Sequence, residues 1–229
     1  MSGKVSKPII TNGLVLALDA ANKKSYPGSG TVWSDLSRNT NTGTLTNGPT
    51  FDSSNNGSIN FDGVDDYIDC GDYEMDGLTG LAVEAWFKSD IINSQNRRIV
   101  SKDQVGVQGA WILWIQASDL IWQTHNGSSF KIAEYSAYLE DTNWHHAVGT
   151  LHNGTNTLYL DGVAVASVDS VGALDDADNE KIVIGADSDA SSPENAWNGH
   201  ISNVKVYTKG LSSSEVLQNY NATKDRFGL

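Results

Sequence analysis

Four aspartates fall within eight residues of one stretch, Phe61 to Gly71 (FDGVDDYIDCG): Asp62, Asp65, Asp66 and Asp69. Carboxylates so close can hold a cation, can act as a catalytic pair, or can serve the turns between strands. Calcium takes oxygen ligands at flexible spacing, backbone carbonyls included, so Asp62, Asp65 and Asp66 around one turn are the candidate metal ligands. The spacing does not match the EF-hand loop. Asp62-Gly63 is also a strong reversal signal, because glycine accepts positive φ and aspartate bonds its own backbone. The reading that leads is a hairpin turn, with Asp65 and Asp66 opening the next strand and one calcium ion as the alternative; no cofactor is required. Two further acidic runs occur, ADSDASSPEN (186–195, with Asp187, Asp189 and Glu194) and DDADNE (175–180). The first is a second calcium candidate and the second reads as a solvated loop.

Glycoside hydrolysis needs two carboxyl groups facing one bond, one of them kept protonated. Glu74-Met75-Asp76 is the nearest approach to such a pattern, but the second glutamate is missing and the segment reads as a loop. Glu84 sits in a good strand with Lys88, not a carboxylate, four positions on. No Gly-x-Ser-x-Gly elbow and no phosphate-binding glycine loop is present. His145 and His146 are adjacent and so point to opposite faces of a strand, which argues against zinc and for strand residues with hydrogen-bonded rings. The expectation is a protein without catalytic residues.

Sugar recognition uses exposed aromatic faces beside amides or carboxylates. Trp114, Trp122, His125, Asn126 and Tyr135 fall in consecutive strands and loops and form the candidate carbohydrate set. The competing reading places the tryptophans in the core. Trp111 and Trp114 lie on opposite faces of their strand, so one of them is expected inside and the other facing out.

The elements that would position these groups are short strands. Asn-Gly or Asp-Gly reversals stand at 12–13, 47–48, 56–57, 62–63, 126–127, 153–154 and 161–162. Between them lie β-type runs such as LVLALD (14–19), LAVEAWF (81–87), AWILWIQ (110–116), WHHAVGTL (144–151) and HISNVKVY (200–207). Regular short strands with turn punctuation predict an all-β antiparallel sandwich or jelly roll. One helix is predicted near 212–222. Ser212 is its N-cap, Glu215 completes a capping box, and Val216, Leu217 and Tyr220 face the sandwich. With no long linker and no internal repeat, the 229 residues read as a single domain, 1–229, whose core spans about 14–222.

A net charge of −13 repels phosphate backbones and anionic lipid, so neither nucleic acid nor a membrane is an expected partner. Cys70 is the only cysteine, so no internal disulfide forms. The apolar run after Lys7 is broken by Thr11-Asn12-Gly13, so no signal peptide is expected, and four Asn-x-Ser/Thr sequons read as chance matches.

TNWHHAVGTLHNGTNTLYLDGVAVAS (142–167) resembles a signature of the laminin-G-like, concanavalin A-like superfamily. FDGVDDYID (61–69), LAVEAWFKS (81–89) and WNGHISNVKVYTKGLSSSEVLQNYN (197–221) are similar to its first half, closing strand and terminal helix. The resemblance implies a two-sheet jelly roll with one short C-terminal helix. It leaves lectins, glycosidases, adhesion modules and spacers open. The family often has an acidic residue after the isoleucine of the closing strand, where this chain has Ser202 and Asn203. The opening segment (13–51) resembles laminin-G-like modules in virion proteins of tailed phages. That likeness implies a structural and interaction module of a virus particle, with other virion proteins or further copies of itself as partners. Surface glycans are a further class of partner. A lectin-like adhesion module of an extracellular cellular protein is the alternative, and a glycosidase the distant one.

Overall fold

A computed structural model describes residues 7–91, 95–104, 107–136, 141–170, 172–176, 180–187 and 195–229. The strands run in the order β1 (Leu14–Asp19), β2 (Val32–Trp33), β3 (Gly43–Thr46), β4 (Thr50–Asp52), β5 (Ser58–Asp62), β6 (Tyr67–Asp72), β7 (Leu81–Ser89) and β8 (Arg97–Gln104). They continue through β9 (Val107–Gln116), β10 (Asp119–His125), β11 (Phe130–Tyr135), β12 (His145–His152), β13 (Thr155–Leu160), β14 (Val163–Asp169), β15 (Lys181–Ile184) and β16 (Asn198–Tyr207). Helix α1 (Ser213–Thr223) and a short 3₁₀ turn (Lys224–Phe227) close the chain.

Two antiparallel sheets result. The first has the order β14-β13-β12-β7-β16-β5-β4, and β1 pairs with β16 beyond the end of β5. The second has the order β11-β10-β9-β8-β15-β6-β3-β2. The expected antiparallel sandwich with one C-terminal helix is what the chain forms.

Alternation explains how the sheets face one another. On β7, Leu81, Val83, Ala85 and Phe87 enter the core, while Ala82, Glu84 and Trp86 point to the opposite face. On β9, Trp111, Leu113 and Ile115 enter the same core, while Ile112 and Trp114 face out. The two inner faces touch most closely at Gly149 of β12, whose Cβ, if present, would stand 2.1 Å from the Trp122 ring. Glycine is there because the indole occupies the place of a side chain.

The outer face of the first sheet is roofed by α1 and the turn after it. Ser212 accepts from the Glu215 amide and Glu215 reaches back to the Ser212 amide, the expected capping box. Leu211 and Val216 are fully buried beside Ala82, Val148 and Tyr207. The helix is rotated from its expected seating. Asn219 is buried with Val216, and Leu217 is 46% exposed. The rotation is set by polar chemistry, since Asn219 bonds the Glu84 carboxylate at 2.7 Å beneath it.

Candidate carbohydrate and cation sites

Asp62, Asp65 and Asp66 do converge: each offers a carboxylate oxygen within 4.8 Å of the others. Most of the local chemistry is nevertheless that of a turn. Gly63 adopts φ 78°, the Asp62 carboxylate accepts from the Val64 amide at 2.8 Å, and the Asp66 carboxylate accepts from the Asp62 amide at 3.0 Å. The Asp65 carbonyl accepts from the Asn47 side chain at 2.8 Å. Asp66 is buried, and burial, reinforced by the charges of Asp62 and Asp65, raises its carboxyl above the usual carboxylate range. Of the second acidic run, Asp187 is buried and accepts from the Asn195 amide at 3.1 Å, and Asp189 and Glu194 lie outside the described residues.

The 175–180 run is not a solvated loop at its ends. Glu180 and the side chain of half-buried Asp176 lie against Lys102, a fully buried lysine whose ammonium contacts Asp72 at 2.8 Å, Asp176 at 2.9 Å and the Glu180 carbonyl. Residues 177–179 lie outside the described set. Burial, added to the charge of Asp103, pushes the Glu180 carboxyl up to about 7. A protonated carboxyl is what a general acid needs, but Glu180 is only 4% exposed and its side-chain oxygens are out of water.

The strand carboxylate Glu84 is sealed. It is fully buried, 2.5 Å from the Lys205 ammonium and 2.7 Å from the Asn219 amide. Burial, the largest single influence, would raise its pKa, but Lys205 and His146 together outweigh it and take it down to about 2. Glu74 accepts from the Asp76 amide at 2.9 Å in a loop whose Met75 packs under Trp111.

The proposed carbohydrate residues do not form one surface. Trp122 is fully buried in the core, 6.1 Å from Trp111 between ring centroids. Trp114 is on the outer face of the second sheet, 7% exposed, with the Arg98 guanidinium stacked 4.2 Å above its ring. His125 is buried and takes the Gly127 amide on Nδ1 at 2.9 Å, and burial lowers its pKa. Asn126 organises its own turn by accepting from the Ser128 and Ser129 amides. Tyr135 is half-buried against the core. Trp122 cannot offer a face to a sugar. Trp114 and Trp122 sit on opposite sides of one sheet, as Trp114 pairs with Ile121 and Trp122 with Leu113.

The adjacent histidines diverge as their alternation requires. His146 is fully buried and packs on Trp86 at 5.1 Å; contrary to expectation, neither ring nitrogen has a hydrogen-bond partner, and Glu84 is 3.9 Å away. His145 is held between Asp161 at 2.8 Å and Asp141 at 3.0 Å. Burial works against its charged form, but the two carboxylates prevail and raise its pKa above the ordinary histidine value of 6.5. Trp144, beside them, packs 4.8 Å from Phe227. Nothing in the sequence spacing joined Trp144 to Phe227 or Asn55, which lie far from it along the chain.

A laminin-G family model of the concanavalin A-like lectin/glucanases superfamily matches residues 62–217. No curated protein sequence matches this one. Among solved structures, the binding domain of Paraclostridial Mosquitocidal Protein 1 is similar at 17% identity and a TM-score of 0.71, covering 92% of this chain and 52% of that one. The binding domain of botulinum neurotoxin serotype D is similar at 16% identity and a TM-score of 0.70, with the same coverage. This chain therefore spans about half of those toxin domains. Domain 4 of an extracellular arabinanase from Geobacillus stearothermophilus, solved in complex with arabinotriose, is similar at 15% identity and a TM-score of 0.68; the match covers 92% of this chain and 100% of that domain.

Proposed function

Because the chain belongs to the concanavalin A-like lectin/glucanase superfamily, we propose that it is a non-enzymatic recognition module that binds glycans in the manner of a lectin. The observation that carries this reading is the closure of Glu84. The strand carboxylate Glu84 is spent on Lys205 and Asn219 beneath a helix, so it is not free to serve as an acid–base group. The end-to-end likeness to an arabinanase domain bound to arabinotriose supports the glycan side of the reading. Arabinotriose is the ligand of that domain, and here it suggests the class to test.

We further infer a place in a virus particle, as a capsid decoration, tail or fibre component that contacts other virion proteins or its own copies. The acidic surface and the likeness of residues 13–51 to phage virion modules support this placement. A printed array of neutral and sialylated oligosaccharides tests the first proposal, with reducing-sugar release from β-glucans measured alongside. Binding without release is the expected result. Release abolished by Glu84→Gln or Glu74→Gln would overturn it. Proteomics of purified particles tests the second, and presence at a fixed stoichiometry is expected.

A further inference from the structure

At one end of the first sheet, on its outer side, a cleft of about 530 Å3 opens beside the 3₁₀ turn that follows α1. Trp144 lines it. The residue is half-buried, and Phe227 backs its ring at 4.8 Å. The indole N–H donates to the Asn55 side-chain oxygen at 3.2 Å, which holds the ring in one orientation. Exposed Thr142 and Asn143 stand on the rim. An aromatic wall of fixed orientation beside amide and hydroxyl groups is the chemistry that takes the apolar face of a pyranose or furanose ring and the hydroxyls on its edge.

The charges around the cleft narrow the ligand. Two cations line it, Lys88 and His145. Each already faces a carboxylate: Lys88 has Asp90 at 3.6 Å, and His145 has Asp161 at 2.8 Å and Asp141 at 3.0 Å. His200, whose ring centroid is 6.2 Å from that of Trp144, lies 3.2 Å from Asp90 and 3.6 Å from Asp52. Four carboxylates, Asp52, Asp90, Asp141 and Asp161, already occupy Lys88, His145 and His200, and Arg226 beside Phe227 faces Asp19, so an anionic sugar would meet repulsion with no unspent cation among these groups to offset it.

We propose that this cleft is a binding site for the terminal residue of a neutral oligosaccharide, with the sugar ring packed on Trp144 and its hydroxyls on the Asn143 and Thr142 rim. The site rests on the lectin-like reading and places it at residues that the spacing of Trp114, Trp122, His125, Asn126 and Tyr135 did not indicate.

The full chain and two variants go onto an array of neutral and sialylated oligosaccharides, followed by titration calorimetry with the strongest neutral binder. Trp144→Ala removes the aromatic wall and is expected to weaken binding about tenfold or more. Thr142→Arg fills the mouth from an exposed rim position, so it blocks the site without disturbing the packing on Phe227. It is expected to abolish binding at an unchanged melting temperature. Phe130→Ala, at an exposed residue of the other sheet, serves as the control and is expected to leave affinity unchanged. Neutral-glycan binding that survives both Trp144→Ala and Thr142→Arg would overturn the site while leaving the lectin-like reading in place. A preference for sialylated over neutral glycans would overturn the charge argument. No binding to any glycan on the array by the unaltered chain would overturn both the site and the reading beneath it.

Discussion

Glu84 and Lys205 are a buried pair whose partners include Asn219 and Asn203, and each charge is tolerable only because the other is present. Glu84→Gln leaves an ammonium in the interior, and the expected loss is about 3–5 kcal/mol in denaturant unfolding. Adding Lys205→Met to that variant is expected to recover part of the loss, and a double variant no more stable than Glu84→Gln would show that packing, not charge, sets the cost. The Asp62–Asp66 turn makes a different demand. A Cβ at Gly63 would stand 2.6 Å from the Asn198 amide, in a backbone at positive φ. Gly63→Val is therefore expected to cost about 1–3 kcal/mol. The turn's own hydrogen bonds account for the Asp62 and Asp66 carboxylates, so calcium and chelator are expected to leave the melting curve nearly unchanged. A large rise with calcium that Asp65→Ala and Asp66→Ala both abolish would make the three aspartates a cation site instead. At this scale the sequence told which residue types were present but not which way they face. Trp114 and Trp122 look equivalent on paper, yet one lies on the outer face of the second sheet and the other in the core.

Strand existence was legible wherever alternation met a strong turn. LVLALD is β1 residue for residue, and LAVEAWF falls within β7. Of the strands that escaped notice, β2, β3 and β4 have two to four residues, too few for alternation to register, and the six-residue β11 carries Lys131 and Glu134 among its apolar residues. Helix α1 announced itself through Ser212 and Glu215, whose reciprocal bonds the structure contains. Ser212→Ala is expected to cost about 1 kcal/mol, read as a shift in the unfolding midpoint at constant slope. The seating of the helix was not legible. Leu217 is more apolar than Asn219, but Asn219 is the residue with a buried carboxylate to satisfy. The Trp144 cleft escaped for a related reason: it joins Asn55, Trp144 and Phe227, which only the tertiary fold brings together.

The whole molecule carries an excess of negative charge, and its titration behaviour concentrates where carboxylates meet a partner. His145 is the clearest case. Its pKa is raised by Asp161 and Asp141 over the opposing effect of burial, and it contacts the Phe87 ring at 6.1 Å. A raised folded-state value means that the folded protein holds the proton more tightly. The stability His145 contributes is then fully present below 6.5, the ordinary histidine value, and is lost as pH climbs through the higher folded value. The melting-temperature gap between the native chain and His145→Gln is accordingly expected to shrink from about pH 5 to about pH 8. A gap that widens over that interval would contradict the assignment.

Strand β16 runs beside β7 on one flank and beside β5 and then β1 on the other, and among the described residues β1 pairs with no other strand. Tyr207, its last residue, bonds the Ile10 carbonyl 197 positions earlier. On a ribosome that strand emerges long after β1 and β7, so β1 and one edge of β7 wait through the synthesis of the strands between without their neighbour. A nascent chain halted before Asn198 has two of its most apolar runs uncovered. Closure of the first sheet is thus a non-local event, of the kind that slows folding and leaves strand edges in need of shielding until β16 is made.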